Sequence, residues 1–244
     1  SQPAFGSRLA NETIGGNAHH HRAHHPHDLW GHWYAGLANC RLVDLCHGRS
    51  RIGTACTVDP ATTDKAMTSL QPIPAPIPPP KRRVVSQSLP PYRYVPGLGP
   101  HPFRHPDGHM FQDGNAPQDI DRWVPDESWS NDIPYLYAAD LFDHRYYWEA
   151  HEAWEALWKH CDPQTHVRDV LQSLIQFSAA ILKNHMGRPQ TAAILLDKAA
   201  ERLMAAEAAE GPHFRGLDLP ELRWRISHHL QGGPWPLLPM DMTC

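Results

Sequence analysis

The chain has 244 residues, of which 25 are proline and 19 are histidine, and its formal net charge is −4 with histidine neutral. This charge creates no field that attracts nucleic acid or an anionic membrane, so we expect neither as a partner. No stretch approaches the roughly 20 apolar residues that a membrane-spanning helix needs. The five cysteines are scattered without Cys-x-x-Cys spacing, which favours free thiols in a cytoplasmic setting.

The first 134 residues show no sustained helical pattern. Residues 1–66 contain a cluster of histidines and no apolar period, so we expect a disordered or spurious leader and a translation start at Met67. The alternative is a histidine tract that chelates metal. Fifteen prolines lie between Pro72 and Pro134, which predicts a proline-rich arm over residues 67–134. Its 72–80 run favours polyproline II, either solvated or docked on a partner. The aromatic residues of 89–110 predict an ordered part of the arm that lies on a helical domain.

Helical periodicity begins near residue 135 and continues to about residue 232. Gly-Pro and Asp-Pro pairs interrupt this periodicity. The predicted helical regions are 135–160, 167–186, 191–207 and 220–230. A tail follows at 233–244. Asp140 or Asp143 is a candidate cap of the first helix. The short connections indicate antiparallel neighbours, which predicts an all-α bundle of four to five helices.

Polar groups and tryptophans are unusually dense in the sequence WEAHEAWEALW at 148–158. A helical wheel places five of its side chains on one stripe: Trp148, His151, Glu152, Glu155 and Trp158. If this stripe is buried, replacing His151 by alanine should cost roughly 1–3 kcal/mol of stability. Glu149 stands apart on the wheel, so its replacement should change stability by less than about 0.5 kcal/mol.

Three segments resemble a known bacterial family. They are YYWEAHEAWEALW at 146–158, LQSLIQFSAA at 171–180 and KNH at 183–185. Together they resemble the family catalogued as domain of unknown function 309, whose pattern is an aromatic-Glu-x-His-Glu-x-x-Glu-x-x-Trp helix followed by a Gly-Leu-Ile-Gln helix and an alanine-rich helix. The resemblance covers roughly residues 140–208. Ser173 stands where members often have glycine, a change from one small residue to another. The resemblance implies a compact helical bundle and no established activity.

One reading of the stripe is a chemical site. In this reading His151, Glu152 and Glu155 are ligands of a divalent metal ion and also the catalytic groups of a hydrolase-like site, with His151 as ligand or general base. The other residues that would bind a cofactor or add ligands are Trp158, Gln172 and Gln176, with His185, His101 and His109 as further donors. The Glu-x-x-His pairs of di-metal bundles are incomplete, because Trp148 stands where that pattern needs a glutamate.

The other reading is structural. The same groups would form a buried hydrogen-bond network that fixes the register of the helix, since buried charges must be paired or neutralised. The protein would then be a non-enzymatic helical module. It would meet a protein partner, or a second copy of itself, through the bundle surface or the 72–80 run. The sequence leaves both readings open.

Overall fold

The computed structural model describes residues 70–112, 126–162 and 165–243. All of these residues belong to one unit, Thr57–Cys244. The leader predicted at 1–66 lies outside the described residues. The boundaries predicted between arm, bundle and tail stay predictions.

Five α-helices and very little strand make up the described part of the chain. They are α1 (Ile133–Asp143), α2 (Tyr147–His160), α3 (His166–His185), α4 (Pro189–Glu210) and α5 (Leu219–Leu230), with a 3-10 helix (Asp126–Asn131) before α1 and a hairpin of β1 (His213–Phe214) and β2 (Leu217–Asp218) before α5. Helix α3 packs against both α2 and α4, α1 packs against α2, and α5 packs mainly against α4. The expectation of an all-α bundle of four to five helices is confirmed.

Helix α3 packs between α2 and α4, and its apolar residues recur at helical spacing. The buried residues at this spacing are Val167, Val170, Leu171, Leu174, Ser178, Ile181 and Leu182. Positions three and four apart share one side of a helix, so this spacing buries a continuous stripe between the neighbouring helices. None of the helices in the described part of the chain is both long and apolar enough to span a membrane.

The helix predicted at 135–160 is in fact two helices. The chain breaks between Asp143 and Tyr147, where Arg145 adopts φ 65°. A left-handed residue ends a helix, but this position is usually glycine, so the sequence carries no obvious signal of the break. The predicted caps are also wrong. Asp132 caps α1, and its side chain accepts the Tyr135 N–H at 3.1 Å.

Asp140 and Asp143 instead hold the arm and the C-terminal segment on α1. Asp140 is fully buried and accepts the backbone N–H of Arg83 at 2.9 Å and that of Val84 at 2.8 Å. The Arg83 guanidinium also reaches Asp143 at 2.8 Å. The Leu238 N–H donates to the second oxygen of Asp143 at 2.7 Å. The arm therefore crosses α1 at a fixed place before it reaches α2.

Candidate metal centre

Helix α2 is anchored in the core by one face and carries the candidate site on another. Ala150, Trp154 and Leu157 are buried among the apolar residues of the bundle. Residues three and four positions apart are neighbours on a helix surface. The helix geometry therefore places Glu155 next to both His151 and Glu152.

The structure brings the three predicted ligands together. One ligand atom from each of His151, Glu152 and Glu155 lies within 4.8 Å of the others. His151 Nδ1 and Glu152 Oε1 are 3.5 Å apart. The His151 side chain is buried, whereas those of Glu152 and Glu155 are 23% and 12% exposed. The imidazole of the cluster is thus buried, and its two carboxylates are partly open to solvent.

Lys159 is the nearest cation with a measured contact to this cluster. Its Nζ lies 3.0 Å from Glu155 Oε1, one helical turn along α2, and its side chain is 40% exposed. Exposed ion pairs of this kind contribute only about 0.2–1 kcal/mol. Lys159 therefore competes with any other cation for Glu155, but only weakly.

Glu149 is buried, so the expectation that it stands apart from the buried side of the helix is wrong. Its side chain is buried and accepts the Tyr94 N–H at 3.0 Å, and His109 Nε2 lies 3.5 Å from the same oxygen. The pKa of Glu149 is raised to about 8, chiefly by burial; the Tyr94 N–H opposes the rise and the charge of Glu152 adds to it. The wheel missed this because it describes α2 alone, whereas the arm covers Glu149.

The arm brings two histidines to this part of α2. The His101 ring lies 5.5 Å from the Trp148 ring, edge to face. Burial and then Arg104 lower the pKa of His101, while the charge of Glu152 raises it. The His109 ring stands edge to face with Tyr92 at 4.5 Å, and burial lowers the pKa of His109. Both shifts favour the neutral imidazole, the form in which histidine binds a metal.

The other predicted donors face different neighbours. Trp158 packs under the Arg168 guanidinium, 3.7 Å from the ring centre. Gln176 accepts a hydrogen bond from Arg202 of α4 at 3.2 Å. His185 contacts the Gln71 carbonyl at 2.7 Å through Nε2, and Gln172 is half-buried on α3. Their roles in binding a cofactor stay predictions.

Fold and site together define a small helical domain whose second helix carries a partly buried histidine and glutamate cluster. Residues 135–195 match the family model described as Domain of unknown function (DUF309), which confirms the resemblance seen in the sequence. This segment includes His151, Glu152 and Glu155 but neither arm histidine. No curated protein and no solved structure matched the chain in the corresponding comparisons.

Proposed function

We propose that the protein binds a divalent metal ion through His151, Glu152 and Glu155. The observation that carries this proposal is the convergence of one imidazole nitrogen and two carboxylate oxygens within 4.8 Å on one stripe of α2. Imidazole and carboxylate together suit borderline and hard divalent ions such as Zn²⁺ and Mn²⁺. Partial exposure of both carboxylates gives an ion a way in from solvent.

The measured spacing supports this assignment. Bonds of about 2.0–2.2 Å from a metal to nitrogen or oxygen put neighbouring ligands of a tetrahedral ion about 3.4 Å apart. His151 Nδ1 and Glu152 Oε1 are 3.5 Å apart, close to this separation. A rotation of the partly exposed Glu155 side chain would bring the third oxygen in. Three protein ligands leave a coordination position for water, as in catalytic zinc sites.

Such a site would support hydrolase-like chemistry. A bound divalent ion lowers the pKa of its water ligand towards neutrality and so supplies a nucleophile. The side chains of this protein would hold the ion and orient its ligands. Lys159 would sit beside Glu155 as a fixed positive charge, placed to meet an anionic group of a substrate.

A second candidate is the non-enzymatic interaction module with a structural His/Glu network. The contacts within the stripe favour it, because Glu155 forms an ion pair with Lys159 and His151 Nδ1 lies 3.5 Å from Glu152 Oε1 without any metal. In that case the bundle surface or the 72–80 run would bind a protein partner or a second copy of the chain. The two candidates differ in metal stoichiometry, which is measurable.

We expect His151→Asn to remove one equivalent of tightly bound Zn²⁺ from the full-length chain. The histidines of residues 19–32 are common to wild type and variant, so the difference in stoichiometry reports the site alone. Glu155→Gln should weaken binding by about tenfold or more, since losing even an outer partner of a ligand costs roughly 10–100-fold. Calorimetric titration of protein purified without an affinity tag measures both.

The matched control is His160→Asn, because His160 lies exposed on the same helix. It should keep the wild-type stoichiometry. Circular dichroism of each variant establishes that it is folded. Equal stoichiometry in wild type, His151→Asn and Glu155→Gln would overturn the metal proposal and favour the interaction module.

Removing Lys159 should strengthen metal binding. Lys159→Met frees Glu155 from a competing ammonium group, and an exposed pair of this type is worth at most about 1 kcal/mol, which corresponds to a gain of about fivefold at most. Competition with a chromogenic chelator measures the dissociation constant. Lys198→Met, on the exposed face of α4, is the control and should have no effect. An unchanged constant in Lys159→Met would mean that Glu155 is not a ligand.

A further inference from the structure

A second pair of potential ligands lies where the arm meets α2. His109 Nε2 and Glu149 Oε1 are 3.5 Å apart, and their side chains are only 5% and 2% exposed. This distance is long for a hydrogen bond between nitrogen and a carboxylate. It matches the separation of about 3.4 Å between neighbouring ligands of one tetrahedral ion. The pair thus has the spacing of two metal ligands.

Both side chains carry atoms without a hydrogen-bond partner among the described residues. They are Glu149 Oε2 and the two ring nitrogens of His109. Buried polar atoms are nearly always satisfied, so atoms left over at one place need a partner of another kind. The Tyr94 N–H fixes the other oxygen, Glu149 Oε1, and holds the carboxylate in place. A cation beside these atoms would satisfy a carboxylate oxygen and an imidazole nitrogen together.

This pair lies next to the site proposed above. Glu149 precedes Glu152 by three residues on α2, so their side chains are neighbours on the helix surface. Two neighbouring carboxylates repel each other unless a cation lies close to both. Glu152 is therefore the carboxylate placed between the two pairs of ligands.

We propose that His109 and Glu149 hold a second divalent cation beside the one held by His151, Glu152 and Glu155. Glu152 is the carboxylate shared between them. The inference rests on the proposed function, and it extends the site beyond the segment that matches the family model. The arm then supplies the imidazole of the second position. Paired metal ions of this kind lie about 3.5–4 Å apart and act together on one substrate group.

The test is a Mn²⁺ titration of the full-length chain and three single variants. We expect His109→Asn to bind one equivalent fewer than wild type, and His151→Asn likewise. His105→Asn is the matched control, because His105 lies on the same arm but is exposed and pairs only with Asp107 among the described residues. It should bind as wild type does. Electron paramagnetic resonance of the saturated wild type should show the signal of two interacting Mn²⁺ ions, and His109→Asn should show an isolated ion.

Glu149→Gln tests whether His109→Asn binds less Mn²⁺ only because the arm has detached from α2. Its amide oxygen still accepts the Tyr94 N–H, while the charge that binds the cation is gone. It should lose the same equivalent as His109→Asn. If both variants keep the wild-type stoichiometry while His151→Asn loses one equivalent, the second position is overturned and the first stands. If no variant differs from wild type, both proposals are overturned.

Discussion

Replacing Asp140 by asparagine should lower the free energy of unfolding by about 3–5 kcal/mol, the usual cost of breaking a buried charged pair. The carboxylate has no exposed surface and accepts the backbone N–H groups of Arg83 and Val84 together with the Arg83 guanidinium. Asparagine has the same shape, but it has no charge and only one acceptor oxygen. At least one buried N–H of the arm would then face an amide NH₂ group. Denaturant unfolding of the full-length chain measures the loss.

Asp197→Asn is the control for this change. Asp197 is exposed on α4, and its replacement should alter stability by less than about 0.5 kcal/mol. Cleavage by a protease within the arm should also become faster in Asp140→Asn, since the carboxylate holds the arm on α1. A loss below about 1 kcal/mol would mean that Asp140 does not anchor the arm.

Glu149→Gln should change how stability depends on pH. The pKa of Glu149 is about 8 in the folded protein and near its ordinary value of 4.5 when unfolded. Between pH 4.5 and pH 8 the folded state keeps the Glu149 proton while the unfolded state loses it. The contribution of Glu149 to the free energy of unfolding is therefore fully present below pH 4.5 and is lost as the pH rises to 8. Glutamine does not titrate. The stability of Glu149→Gln relative to wild type should therefore increase from pH 5 to pH 8.

Melting temperatures in the presence of a chelator measure this difference at each pH. The charged and titratable groups that act on Glu149 include His109 and Arg93 from the arm, Glu152 from α2, and Tyr137 and Tyr146. Both proteins retain them. His109 has a lowered pKa, so its contribution is lost as the pH falls, which is the opposite direction. A difference between the two proteins that stays constant from pH 5 to pH 8 would contradict the buried, protonated state of Glu149.

Local patterns predicted most of the helices. Helices α3, α4 and α5 follow apolar periodicity and end at glycine or proline, which act over a few residues. The break between α1 and α2 escaped prediction because Arg145, not glycine, adopts the left-handed conformation there. The two-residue strands at 213–218 also escaped it, because they form only when the connection between α4 and α5 is packed.

The candidate site, too, could be predicted from the sequence only in part. His151, Glu152 and Glu155 could be grouped from the sequence because one helix fixes their spacing. The burial of Glu149 could not, since it depends on where the arm runs. That path is set by Asp140 and its distant partners Arg83 and Val84, more than 50 residues away in the chain. The turns that place His109 on Glu149 follow from no local rule of the proline-rich sequence.

A crystal of the full-length protein soaked in Mn²⁺, with anomalous diffraction recorded near the manganese edge, tests the central claim most directly. We expect an anomalous peak within bonding distance of His151, Glu152 and Glu155, about 2.0–2.3 Å from the ligand atoms. We also expect a second, neighbouring peak at His109 and Glu149. Absence of any peak at His151 in a crystal that carries Mn²⁺ elsewhere would contradict it.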